Sequence, residues 1–244
     1  MKICVLISSH SPSFFTKMTV KSLLRQVKGH ELSIHVGFHS NLGDYTNDFS
    51  MFSELRGLCQ FHAVDEIDWM AHNEDTYRYS KMHCKNLENL LKNVRYEEFD
   101  YLCVLDNDLL VKKDFITHLL DEFHPCDLIC SLLDDRTEVA SVDDMYGNTI
   151  RFAPKASVWN MLLSRSSYEM IMRDVSVIYP KFRNGMFYDS FAEFLEKCGS
   201  KCIVNTEKMV DMITHFHCSS FNYGVIMNRR SIEEPLRIYE ENFA

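Results

Sequence analysis

The chain has 244 residues, 46% hydrophobic and 25% charged, with 26 Lys and Arg against 35 Asp and Glu, a net charge of −9. Such a chain has room for one large domain or two small ones around a real core, and its composition excludes disorder, collagen and a coiled coil. The acidic balance argues against a duplex-DNA binder that works by neutralising phosphates, and no stretch approaches the ~18 apolar residues of a membrane span.

The first ten residues carry one Lys and a short apolar run, too short for a signal peptide and without a small-residue cleavage site. The nine cysteines are odd in number and form no C-x-x-C. Cys126/Cys130 and Cys198/Cys202 admit zinc by spacing, but their neighbours suit strand entries, which makes them small core thiols. A reducing, cytoplasmic location is the expectation that follows.

Ile3–Ser8 is a continuous apolar run, the pattern of a strand buried on both faces. Ser11-Pro12-Ser13 then starts a helix that runs from Phe14 and closes at Gly29. Glu31–Phe38 alternates as a second strand, Phe49–Leu58 is a short helix, and Gln60–Val64 is a third strand. Asn73–Val94 is the longest helical pattern, with an apolar stripe through Tyr77, Cys84, Leu87, Leu91 and Val94. Tyr101–Leu105 is another fully apolar strand, followed by a helix over Lys113–Phe123 and a strand over Cys126–Leu133.

Asp134–Pro154 lacks periodicity and reads as a long functional loop or as small antiparallel strands. Val158–Leu163 is a strand, Ser167–Val177 a helix, and Asp189–Cys198 a helix closed by Gly199. Lys201–Val204 and Met209–His217 read as short strands, and Arg229–Ala244 as a polar, partly helical tail. Strands alternating with helices imply βαβ units in a mainly parallel sheet. Ligands of such sheets bind beyond the carboxyl ends of the strands. The first and fourth strands end in Ser8-Ser9-His10 and Asp106-Asn107-Asp108, so both polar clusters are expected on one edge.

Asp106-Asn107-Asp108 is the sharpest feature. Five apolar residues deliver two carboxylates to the lip of the sheet. Hard cations such as Mg²⁺ and Mn²⁺ take oxygen ligands and share them with substrate phosphates. The same tripeptide is also a good turn sequence. No P-loop, G-x-G-x-x-G, G-x-S-x-G or H-E-x-x-H motif is present.

The chain resembles the GT-A fold glycosyltransferases, which use nucleotide-sugar donors. The resemblance rests on the order of ICVLISSH, KMHCKNLENLL, FDYLCVLDNDLLV, NMLLSRSSYEMI, NGMFYDSFAEFLEKCGSKC and THFHCSSF between Met1 and Phe221. It implies a single Rossmann-like domain over 1–244, with a mainly parallel central sheet and helices on both faces. Residues 1–110 would bind the nucleotide sugar, 111–228 the acceptor, and 229–244 would form a C-terminal tail.

By the same resemblance, Asp106 would face the ribose or a metal-bound water, and Asp108 would bind Mn²⁺ or Mg²⁺. Ser8, Ser9, His10 and Asn107 would line the donor site. Lys85-Asn86 stands where many members carry Arg-Asn, and Lys85 equally fits a solvated helix face. Many members end the second strand in an Asp that reads uracil; Phe38-His39-Ser40 stands here, with Asp44 later. Asp189 would be the general base of an inverting reaction, although a lone Asp there also suits a helix N-cap. His215 and His217, two apart and so on one strand face, would offer a late metal or diphosphate ligand, with Ser219 or Ser220 following. Tyr146, Trp159, Phe187 and Tyr188 are candidates to stack on a sugar.

The activity implied is a metal-dependent transfer of a sugar, with UDP-sugars favoured, to a hydroxyl acceptor: a glycan, lipid, protein or modified nucleic acid. A sugar nucleotidyltransferase is one rival; Ser8–Phe15 lacks the Gly-rich, basic loop that would hold a triphosphate. A non-catalytic module binding nucleotide sugars or glycans is the other.

Overall fold

The computed structural model describes residues 1–9, 13–25, 29–39, 50–64, 78–123, 128–131, 140–143, 149–152, 160–174, 202–205, 213–216 and 233–243. Its strands are β1 (Lys2–Ser9), β2 (Glu31–His39), β3 (Gln60–Val64), β4 (Tyr101–Asp106), β5 (Leu109–Val111), β6 (Leu128–Ser131), β7 (Ala140–Asp143), β8 (Thr149–Phe152), β9 (Asn160–Ser164), β10 (Cys202–Asn205) and β11 (Ile213–His215). Its helices are α1 (Ser13–Leu24), α2 (Ser50–Glu54), α3 (Arg78–Asn93), α4 (Phe115–Phe123), α5 (Arg165–Arg173) and α6 (Glu233–Phe243).

Seven strands form the central sheet in the order β10-β6-β9-β4-β1-β2-β3. All its neighbours pair in parallel except β9, which runs antiparallel to both β4 and β6. The mainly parallel sheet is therefore as expected, with one reversed strand. Apolar pattern fixes which segments are strands but not their direction, so the reversal was not readable beforehand.

The two faces of β1 follow from its two-residue period. Ile3, Val5 and Ile7 share one core with Val20 and Leu23 of α1 and with Cys103 and Leu105 of β4. Ser8 points the other way, to Asn86 of α3. Helices therefore cover both faces, and both sides of β1 are buried from Ile3 onward, which is why its sequence is apolar without alternation.

Several boundaries moved for local reasons. The first helix ends at Leu24, short of Gly29, with the Arg25 N–H donating to the Ser22 carbonyl at 3.3 Å at its end. The helix expected over Phe49–Leu58 stops at Glu54, because Gly57 turns the chain with φ 77°. α5 begins at Arg165, since Ser164 caps it by accepting from the Ser167 amide at 3.2 Å. Within Asp134–Pro154, β7 and β8 pair as small antiparallel strands.

The expected polar tail carries an amphipathic helix. Tyr239 and Phe243 of α6 pack with Phe15 and Met18 of α1. Among the described residues, no helix is long and apolar enough to cross a membrane.

Candidate active site

The register of the sheet brings the two polar strand ends together. β1 and β4 are parallel neighbours with Ser8 beside Asp106. The expectation that both clusters share one edge therefore holds for Ser8, Ser9 and the Asp-Asn-Asp turn. Asp106, Asn107 and Asp108 are all fully buried.

Two carboxyl groups so close and so deep disfavour joint ionisation. Burial pushes Asp106 well above the usual carboxylate range, and the neighbouring Asp108 adds to it through charge and a hydrogen bond. The Asn107 amide, donating to Asp106 Oδ1 at 3.0 Å, acts the other way. A hard divalent cation fits this donor set. It would be held through carboxylate oxygen by Asp108, with Asp106 beside it, and would neutralise the pair. No third His, Cys, Asp or Glu joins them among the described side chains.

On the α3 side, Asn86 ties the ends of β1 and β2 together. Its Nδ2 donates to Ser8 Oγ at 2.9 Å and to the Gly37 carbonyl at 3.0 Å. A side chain at position 37 is excluded, because a Cβ there would lie 1.9 Å from Asn86 Oδ1. That oxygen is buried without a hydrogen-bond partner among the described residues. Lys85, one position earlier, is exposed and reaches Glu88 at 3.5 Å. The Lys85-Asn86 pair is thus split between surface and interior.

On the α1 side, Ser9 Oγ lies 2.7 Å from Thr16 Oγ1, which also accepts from Asn107 Nδ2 at 3.1 Å. Thr16 and Thr19 were not singled out from the sequence. The available signal was a run of hydroxyls three apart, Thr16, Thr19 and Ser22, along one line of the helix.

β5 was also missed. Its three residues pair antiparallel with β11, placing His215 opposite Leu109, and the Phe216 amide donates to the Asp108 carbonyl at 3.1 Å. The backbone of the His215 segment therefore runs directly beside the carboxylate turn. His10, Asp44, Tyr146, Trp159, Phe187, Tyr188, Asp189, His217, Ser219 and Ser220 lie outside the described residues.

Comparison with known proteins gives matches only at the level of structure: no family model and no curated protein matches this chain. Glucosyl-3-phosphoglycerate synthase from Mycobacterium tuberculosis, solved with Mn²⁺, UDP and phosphoglyceric acid, superposes with a TM-score of 0.55 at 14% identity over 97% of this chain and 78% of that one. A mannosyltransferase from Pyrobaculum calidifontis, solved with GDP-Man and Mn²⁺, gives 0.55 at 13% over 84% and 56%. The fold is that of the GT-A type nucleotide-diphospho-sugar transferases. A 4-diphosphocytidyl-2C-methyl-D-erythritol synthase from Anaerococcus prevotii also superposes, with a TM-score of 0.51 at 8% identity over 93% and 98%. Within this GT-A fold, the Asp-Asn-Asp turn occupies the carboxyl end of a central strand, where ligands of open α/β sheets bind.

Proposed function

We propose that this chain is a metal-dependent glycosyltransferase that moves a sugar from a nucleotide diphosphate, with UDP-sugars favoured, to a hydroxyl acceptor. The observation that carries the reading is the buried Asp106/Asp108 pair beside Ser8 at the carboxyl edge of the sheet. Buried carboxyl groups with strongly perturbed protonation cluster at functional sites. Neighbours of the same fold that were solved with Mn²⁺ and nucleotide compounds support the choice of ligand.

In this reading Asp108 holds Mn²⁺ or Mg²⁺, and Asp106 faces the ribose or a metal-bound water. The bound metal would supply charge neutralisation for the departing diphosphate. Ser8, Ser9, His10, Asn86 and Asn107 line the donor side, and Lys85 borders it at the surface. His215 or His217 adds a late ligand to the metal or diphosphate. Asp189 takes the acceptor's proton in an inverting transfer. The division into a donor half over 1–110, an acceptor half over 111–228 and a short C-terminal part belongs to the same proposal. So does a cytoplasmic location, which rests on the odd cysteine count and the lack of a C-x-x-C pair.

A sugar nucleotidyltransferase is the second reading, favoured by the likeness to the diphosphocytidyl synthase. The absence of Gly, Lys and Arg from Ser8–Phe15 counts against it. Thermal melting against nucleotides and nucleotide sugars, with Mn²⁺ or with EDTA, separates the readings. A ligand at 100 times its dissociation constant stabilises by about 2.7 kcal/mol. The expected result is a Mn²⁺-dependent rise with UDP-sugars. A rise with nucleoside triphosphates alone favours the nucleotidyltransferase, and no rise with any of them removes the donor site.

A further inference from the structure

β5 is a strand with two different edges. One edge pairs with β11. The other meets α1, and there the hydroxyls of Thr19 and Ser22 stand where a neighbouring strand would stand, with Thr16 beside them on the Asn107 side chain. Thr19 Oγ1 lies 2.7 Å from the carbonyls of both Asn107 and Leu109 and accepts from the Leu109 amide at 3.1 Å. Ser22 Oγ accepts from the Val111 amide at 3.3 Å and donates to the Thr19 carbonyl at 2.9 Å. Thr16 Oγ1 accepts from Asn107 Nδ2. All three are buried, at 0%, 0% and 1% exposure.

The match is one of periods. Residues 16, 19 and 22 share one face of a helix, since positions three apart are neighbours there. Residues 107, 109 and 111 present their backbone groups to one strand edge, since a strand has a period of two. A strand edge within a core must find donors and acceptors, and a helix can supply them only through side chains. Val at position 19 or Ala at position 22 would leave that edge unanswered.

We propose that the Thr16/Thr19/Ser22 line of α1 is a positioning device that fixes the Asp106-Asn107-Asp108 turn in its metal-holding geometry, with Thr19 as the principal residue. The proposal rests on the reading of Asp106 and Asp108 given above. Thr19 grips the chain on both sides of Asp108, at Asn107 and Leu109, so the aspartate is bracketed by one hydroxyl. The opposite edge is closed by the Phe216 amide on the Asp108 carbonyl. Backbone displacement at this turn is thereby resisted from both directions.

The test uses the full chain and Mn²⁺ alone as the probe, titrated into wild type, Thr19→Val, Thr19→Ser and Asp108→Asn, with amide exchange at Leu109 and Val111 followed in parallel. Thr19→Val keeps the side-chain shape and loses the hydroxyl. It is expected to weaken Mn²⁺ binding about tenfold or more and to speed exchange at Leu109. Thr19→Ser is expected to restore affinity to within about threefold of wild type, which a merely structural loss of packing would not do. If Thr19→Val does not fold, Thr16→Val with Thr16→Ser serves in its place. Equal Mn²⁺ affinity in wild type and Thr19→Val, with Asp108→Asn abolishing binding, overturns the positioning role and leaves the metal site standing. No Mn²⁺ binding by wild type removes the metal reading, and the positioning role with it.

Discussion

Two carboxyl clusters flank α1, and the helix treats them in opposite ways. Glu54 of α2 receives Lys17 Nζ at 2.7 Å, Lys21 Nζ at 3.1 Å and the Tyr239 hydroxyl at 2.8 Å. The Lys17 bond leads, with those from Tyr239 and Lys21, in holding Glu54 down at about 2. Asp106 meets Asp108 in full burial and is pushed upward. The first cluster balances charge within the chain and joins α1, α2 and α6. The second sets like against like, a cost to the fold that binding can remove. The difference teaches which of the two polar clusters is architecture and which is a candidate site: Glu54 is more than a third exposed and held down by cations, whereas Asp106 is fully buried and pushed up by burial and a second carboxyl.

The largest expected effect breaks the second cluster. Asp106→Ala or Asp108→Ala is expected to lower transfer by roughly 10³-fold or more, as loss of a principal electrostatic group does. The metal-free melting point should stay near or above that of wild type, because the burial and carboxyl crowding that push Asp106 upward are relieved. Turnover within tenfold of wild type in both variants would sink the assignment. Breaking the first cluster moves stability instead. Glu54→Gln leaves the buried Lys17 ammonium without its carboxylate and is expected to cost about 2 kcal/mol in urea unfolding. Mn²⁺ affinity should be unchanged, and a parallel fall in both quantities would erase the distinction between the clusters.

The smallest effect sharpens the comparison with a neutral case. On the α3 side of the sheet, His35 Nδ1 lies 3.0 Å from His62 Nε2, Ser33 Oγ lies 3.0 Å from His35 Nε2, and the Phe99 ring stands edge-on. Burial, then the neighbouring His62, holds His35 at about 4, below its ordinary 6.5. A base depressed in this way is protonated first in the unfolded chain. Its contribution is therefore intact above pH 6.5 and is lost as pH falls toward 4. Between pH 7 and 4.5, metal-free wild type is expected to lose about 2 kcal/mol more than His35→Gln, a difference from which the opposite contribution of the raised Asp106 cancels. The same slope in His35→Gln would assign the loss elsewhere.

How much of this was legible varied with the range of the interaction. β1, β4 and the carboxylate turn declare themselves through unbroken apolar runs that end in acids, and parallel neighbours put Ser8 beside Asp106. β5 does not, because three residues carry no period and its pairing partner lies about a hundred positions away. The antiparallel sense of β9 has no local signature either. α6 read as a tail because its surface residues dominate the composition, although Tyr239 and Phe243 stand one helical turn apart. The hydroxyls of α1 were in plain view, but their meaning depends on a strand edge that only the fold supplies.

The docking of α6 has a consequence for the birth of the molecule. Lys21 and Tyr239 are separated by 218 positions. At roughly 5–20 residues per second, synthesis of that interval takes about 10–45 s. Until it ends, Phe15 and Met18 lack the aromatic cover that Tyr239 and Phe243 later provide. This flank of α1 therefore waits for its final packing until α6 has been made.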